Sequence, residues 1–420
     1  MRNIYIFLVF LLSVLSLEVS AQAFDQVSNE AGYTHAVYYT IADGSTTAVT
    51  HESWDIAFAT GALDVGIHVN EAVGRSFVGE LPQTKLFVSS STDFANVDTT
   101  GMIRLYNDEL SWEAGAFNSV ANPMNPADLG WGTYDFASNQ LSGSRVFIIE
   151  PRSGGIKKLK IESLQAGVYN FRYAELDGSN EVEASVDKNA YPGATLAYFS
   201  FERETQVEIE PANWDLLFTR YTTLAEASPD IFVNYTVTGV LSNKGIEVAK
   251  AKNIEPATVD YTDYEDAYIT DINAVGWDWK SFQDAWFIAT DVVYFVKANN
   301  TIWKLRFVDF EGSSTGVTTL EKTKVGEYTS LKEMPKNVSV FEVYPNPASN
   351  FTNVVFEVTT SVKDAQVKVF NQLGELVQSQ KVGLHQGLNA YKLPLHLSAG
   401  TYYLSLQIGG ELITKSVIVQ

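Results

Sequence analysis

Cysteine is absent from this 420-residue chain, and histidine and methionine are scarce, at five and four residues. Without thiols there can be no disulfide, thiolate nucleophile, iron–sulfur cluster or zinc–thiolate centre. Basic residues are few, 29 Lys and Arg against 50 Asp and Glu. The resulting charge of −21 would repel a phosphate backbone and excludes a nucleic-acid partner. Long apolar runs are missing as well. The best of them, IYIFLVFLLSVLSL, is stopped by Glu18, short of the roughly 20 residues a spanning helix requires. With Arg2 before it and Val19-Ser20-Ala21 after it, residues 1–21 read as a secretory signal peptide. The mature chain is therefore expected to be exported, with no transmembrane segment.

Catalytic spacings are also lacking: there is no H-E-x-x-H, P-loop or EF-hand pattern. Gly312-Ser313-Ser314-Thr315-Gly316 does fit G-x-S-x-G. A nucleophile elbow, however, needs a strand-to-helix turn and a histidine base. VTTLEKTKV follows instead, a strand-like run, and no histidine lies between His68 and His385. The stretch reads as a hairpin loop, and the chain is expected not to be an enzyme. Asp260, Asp263, Glu265, Asp266 and Asp271 read as a solvated acidic loop, and 260–274 as a place for a short helix.

What the chain does have is aromatic, alternating sequence. Aromatics make up 13% of residues, with 21 Tyr and 24 Phe, a composition suited to pleated surfaces. WDIAF at 54–58 is echoed by WDLLF at 214–218, each preceded by an aromatic alternating run, a polar turn and a second alternating run. Period-2 alternation predicts one core-facing side for Trp54, Ile56 and Phe58, and another for Trp214, Leu216 and Phe218. Downstream, GWGTYDF (130–136) answers GWDWKSF (276–282), and VFIIEPRSGGIKKLKIES (146–163) answers YFVKANNTIWKLRFVD (294–309). Ser153-Gly154-Gly155 and Asn299-Asn300 supply hairpin-turn chemistry in the two copies. Gly167-Val168 and Gly316-Val317 then open matching strands. Four blocks in one order predict a tandem duplication of an antiparallel all-β module, over 24–184 and 185–325.

These copies resemble the HmuY-like secreted haem-binding proteins, through YFSFERETQVEIEP, the two Trp-Asp strands and the hairpin YFVKANNTIWKLRFVDFEG. The resemblance implies an all-β scaffold with binding loops and haem as a ligand, although the residues themselves fix no cofactor. Haem takes His or Met as axial ligands. Copy one offers His35, His51, His68, Met102 and Met124, and copy two offers neither residue type. His68 in GIHVNEAVG is the leading candidate, with Met102 and Met124 in the divergent loops beside it. Against that stands a lone structural histidine.

After a polar linker over 326–342, residues 343–420 alternate through short strands set off by Gly, Asn and Pro, as in a small immunoglobulin-like β-sandwich. Tyr344-Pro345-Asn346-Pro347, FNQLGELV with Gly374, GLNAYKL, and Ser398-Ala399-Gly400-Thr401-Tyr402-Tyr403 occur in order. This series is similar to the type A C-terminal sorting domain of the type IX secretion system of Bacteroidota. The resemblance implies the secretion machinery as a partner, removal of the domain on export, and a secreted or cell-surface product. Two functions are then expected to compete: capture of haem or another small hydrophobic ligand, and adhesion to a surface glycan or protein.

Overall fold

The computed structural model describes residues 22–61, 64–76, 79–80, 82–125, 127–135, 140–328, 338–358, 360–408 and 411–420. Residues 1–21, expected to be a signal peptide, and most of the linker expected over 326–342 lie outside the described residues. Two compact units divide the chain, residues 1–328 and 329–420. Both are built almost wholly of antiparallel strands, as the aromatic alternation predicts.

Four sheets of four or more strands form the bulk of the first unit, beside two two-stranded ribbons, Arg75–Ser76 with Gly79–Glu80 and Lys280–Gln283 with Ala285–Ile288. Sheet I contains Lys85–Val88, Phe147–Glu150, Lys157–Gln165, Val168–Glu175 and Val182–Asp187 among its eight strands. Sheet II runs Thr205–Val207, Leu196–Ser200, Ile56–Ala59, Ile67–Val69. Sheet III runs Ile231–Ser242, Leu216–Ser228, His35–Tyr39, Thr46–Thr50. Sheet IV runs Ala23–Ser28, Val317–Glu327, Thr301–Phe310, Val292–Ala298, Glu247–Lys252. Ile56, Phe58 and Phe199 of sheet II pack on Phe147 and Phe171 of sheet I. Tyr39 and Phe218 of sheet III pack on Phe307 and Leu320 of sheet IV. Sheets II and III meet through their other faces, where Tyr38 bonds Tyr198 across the junction at 3.1 Å. The stacking order is therefore I, II, III, IV.

At their centres both inner sheets are buried on two faces, and this explains the Trp-Asp strands. A strand covered on both sides needs apolar residues at every position rather than at alternate ones. Ile56 to Ala59 are accordingly all buried. The two tryptophans do not share the face that alternation predicts. Trp54 sits at the end of a 3-10 turn over His51–Ser53, before the ladder begins at Ile56. Its ring turns to the II–III junction with Ala57 and Tyr198, while Ile56 and Phe58 point to sheet I. Trp214 does the same beside Leu217, away from Leu216 and Phe218.

The buried aspartate after each tryptophan holds this step in place. Asp55 Oδ2 accepts from Phe201 N at 2.8 Å, and Asp215 Oδ2 from Ile41 N at 2.8 Å. The strand registers match as well: Ile56 lies opposite Phe199 and Leu216 opposite Tyr39. Strand pairing crosses reciprocally between the sequence copies. His35–Tyr39 pairs with the second copy's Trp-Asp strand, and Leu196–Ser200 with the first copy's. The intervals 24–184 and 185–325 thus do not each close on themselves.

The turns fall where the sequence puts them. Asn299 and Asn300 both adopt positive φ, 50° and 62°, between paired strands, as a two-residue hairpin requires. Gly316 has φ +73°, and a Cβ there would stand 2.3 Å from the Glu30 carbonyl oxygen. Ser314 Oγ donates to the Glu311 carbonyl at 2.9 Å. That stretch is a short 3-10 turn joining two strands of sheet IV. A 3-10 helix spans Tyr261–Ala267 in the acidic loop.

The second unit packs a sheet of Val338–Tyr344, Phe351–Val358 and Gly387–Pro394 on a sheet ordered Leu376–Leu384, Val362–Phe370, Gly400–Ile408, Glu411–Val419. Phe341, Phe356, Val367, Leu404, Leu406 and Val417 fill the space between them.

Candidate functional site

The junction of sheets II and III collects the polar groups that a core normally excludes. A cavity of about 90 Å³ lies there, lined by His51, His68, Glu71, Trp54, Trp112 and Trp214 among others. The aromatics form an edge-to-face frame. Trp54 meets Tyr198 at 5.1 Å, Trp214 meets Tyr38 at 5.1 Å, and Trp112 meets Trp214 at 6.3 Å. Glu210 ties the frame, accepting from Trp214 Nε1 at 2.9 Å and Tyr198 Oη at 3.1 Å. Buried Asn70 donates to the His51 and Trp54 carbonyls, each at 2.8 Å.

Burial governs the protonation of this layer. It holds the His68 imidazole down at about 4. It also depresses His51 to about 3, with help from the Arg152 and Arg220 cations. Glu71 moves the opposite way, pushed up to about 7 by burial despite hydrogen bonds from the Asn107 backbone. Both histidines are therefore neutral at physiological pH, and Glu71 sits near its own midpoint. Perturbed groups converging on a cavity mark a candidate site.

Haem does not fit this site. His68 Nε2 is bonded to the Trp112 carbonyl at 2.9 Å. Met102 is half-buried beside the Ile103–Leu105 strand, Met124 is 88% exposed on a turn, and neither lines the cavity with His68. The volume is also below the roughly 150 Å³ that admits a benzene. His35 lies outside the cavity, its Nδ1 on Thr34 Oγ1 at 3.0 Å. His51 does line it, and its Nε2 has no hydrogen-bond partner. Among the described residues, no group of three or more His, Cys, Asp or Glu could hold a metal ion.

A second feature lies at the surface. Leu216–Ser228 and Ile231–Ser242 form a long hairpin, and its outer part carries Leu224, Ile231, Phe232, Val233 and Tyr235, between 41% and 57% exposed. A shorter hairpin, Lys280–Gln283 with Ala285–Ile288, exposes Phe282 and Phe287 at 62% and 54%. The sequence block GWDWKSF leads into this hairpin. Its Trp279 is a core residue, stacked on Phe307 at 4.0 Å. Trp277 is 37% exposed.

In the second unit, Tyr344 is 52% exposed, while Asn346 bonds the Glu411–Val419 strand. Gly374 makes a turn at φ +79°, Gly400 opens a strand, and Tyr402 Oη donates to the Ser398 carbonyl at 3.0 Å.

Fold and residues together define an all-β protein of two compact units. Residues 342–420 match the family described as the secretion system C-terminal sorting domain. That match indicates export by the type IX secretion system, to the cell surface or the extracellular space. No curated protein matches the chain. Among solved structures, dimeric latent PorU from Porphyromonas gingivalis aligns over 92% of this chain and 34% of its own, at 10% identity and a TM-score of 0.18. Native E. coli alpha-2-macroglobulin aligns over 90% and 24%, at 9% identity and a TM-score of 0.18. The chain thus spans about a third of the one and a quarter of the other, and overlap this low carries no argument. Among the described residues, no helix is long and apolar enough to cross a membrane.

Proposed function

We propose that residues 22–328 are the cargo of this export route and act as a non-enzymatic binding protein that grips a protein partner through the long hairpin. The observation that supports this reading is the apolar cluster from Leu224 to Tyr235, exposed on a chain whose net charge is −21. Exposed apolar patches mark interaction surfaces. Ile231–Ser242 is moreover an edge strand of its sheet, and its first seven residues, IFVNYTV, carry no charge. Soluble proteins usually guard such an edge with Lys, Pro or a bulge, whereas a strand meant for pairing with a partner is left open.

Adhesion is the test. Cells displaying the full chain are scored for retention on protein-coated surfaces, beside cells displaying the Ile231→Asp/Phe232→Asp double variant. Retention is expected to fall at least tenfold at equal surface display. Equal retention would end this reading. A haem-capturing role would instead require a Soret band on titration that His68→Ala abolishes.

A further inference from the structure

Residues 345–348 lie against the Glu411–Val419 strand, about 70 residues away in sequence. Asn346 uses both ends of its amide there: Nδ2 donates to the Ser416 carbonyl at 3.0 Å, and Oδ1 accepts from the Ile418 N–H at 2.8 Å. Ala348 continues the contact, its N–H donating to the Ile418 carbonyl at 2.7 Å and its carbonyl accepting from Gln420 N at 2.8 Å. Thr352 Oγ1 fixes the loop from behind by donating to the Pro345 carbonyl at 3.0 Å. The strand so gripped is the edge of its sheet.

The proline pattern makes the asparagine intelligible. Prolines 345 and 347 have no N–H, so the loop cannot form a main-chain ladder at those positions. A side-chain amide carries the same donor and acceptor as a peptide group. Asn346 therefore supplies the ladder bonds that its neighbours cannot, to a donor and an acceptor two residues apart.

We propose that Asn346 is a positioning residue of the export signal: it locks the strand bearing Ile418 to the loop that follows the Val338–Tyr344 strand, so that the secretion machinery meets one surface made of two segments. Tyr344 and Ile418 are 52% and 45% exposed, and Asn346 itself is exposed, outside the core of the unit. The inference rests on the export reading of this domain.

The experiment expresses the full chain in a type IX-competent host and measures three things for each variant. These are the exported fraction, the melting temperature, and hydrogen-exchange protection of the Ile418 amide. Asn346→Ala is expected to lower the exported fraction at least fivefold and to lose Ile418 protection, with little change in melting. Leu404→Ala, a core change that leaves the loop contact in place, should lower the melting temperature more yet export better. Parental export by Asn346→Ala would overturn the proposal. So would export that simply follows melting temperature across the two variants, which would make Asn346 structural only. Normal export of a chain lacking 342–420 would instead remove the sorting reading on which the proposal depends.

Discussion

The two Trp-Asp strands use the same local device to different ends. In each, a tryptophan turns toward the II–III junction, a buried aspartate caps an opposing backbone amide, and the ladder starts two residues after the tryptophan in matching register. After that they part. The first strand stops at Ala59 and pairs with a strand of three residues, whereas the second runs from Leu216 to Ser228 and pairs with one of twelve. The shared part is what the junction demands. The extension is free of that demand, and it carries the exposed apolar residues. Polar groups divide unequally too, since His51, His68 and Glu71 all come from the first copy.

The largest effect should come from the tryptophans. Trp214 is 5% exposed and Trp54 half-buried. Trp214→Ala is expected to cost about 3–5 kcal/mol through the cavity it leaves, and Trp54→Ala clearly less. Equal losses in urea unfolding would mean that the junction treats the two copies alike. The aspartates should rank next. Asp55 accepts from Phe201 N, Thr84 Oγ1 and Arg152 N, whereas Asp215 accepts from Ile41 N and Asn299 Nδ2. Removing an acceptor strands each buried donor, so Asp55→Ala should cost about 3 kcal/mol and Asp215→Ala about 2 kcal/mol. The reverse order would show that the first copy's extra bonds contribute nothing.

Acid titration sharpens the polar asymmetry. His51 and His68 fall from 6.5 in the unfolded chain to about 3 and about 4 in the fold. As pH drops below 6.5 the unfolded state binds protons that the native histidines refuse, so stability is lost. Glu71 rises from 4.5 to about 7, and over that window the native state holds the extra proton, which opposes the loss. Two groups against one should leave a net decline on the order of 2 kcal/mol between pH 6.5 and 4.5. Glu71→Gln should make the decline steeper, because it removes the opposing group. A flat melting temperature over that range in the variant would contradict this account. The smallest stability effect belongs to the hairpin: Phe232→Asp should change unfolding free energy by about 0.5 kcal/mol or less, while adhesion falls. A large destabilisation would mean that this residue belongs to the core.

Much of this architecture is legible in the chain. The Asn299-Asn300 turn, the loop around Ser314 and the sorting series are local patterns, and local conformational preference enforces them. Alternation failed at Trp54 and Trp214 because each lies outside the ladder, in a step held by an aspartate whose partners are remote in sequence. His68 was singled out as the leading haem-ligand candidate, and its carbonyl partner at Trp112, 44 residues on, has no signature in sequence. His51 stood among the candidate ligands of copy one, and nothing in the sequence shows that its Nε2 lies unpartnered in the cavity.

By itself, then, the sequence determined an all-β chain, a doubled Trp-Asp strand and an export address, because composition, period and short-range turn chemistry act within a few residues. Tertiary structure alone decided which copy each strand completes. Sequence separation does not limit hydrogen bonding, and His35–Tyr39 found its partner strand nearly 180 residues away. It also decided that the junction between the inner sheets would be polar, since only stacking four sheets brings His51, His68, Glu71 and Trp214 around one cavity. And it joined Asn346 to Ile418, where two prolines had left a ladder that only a side chain could complete.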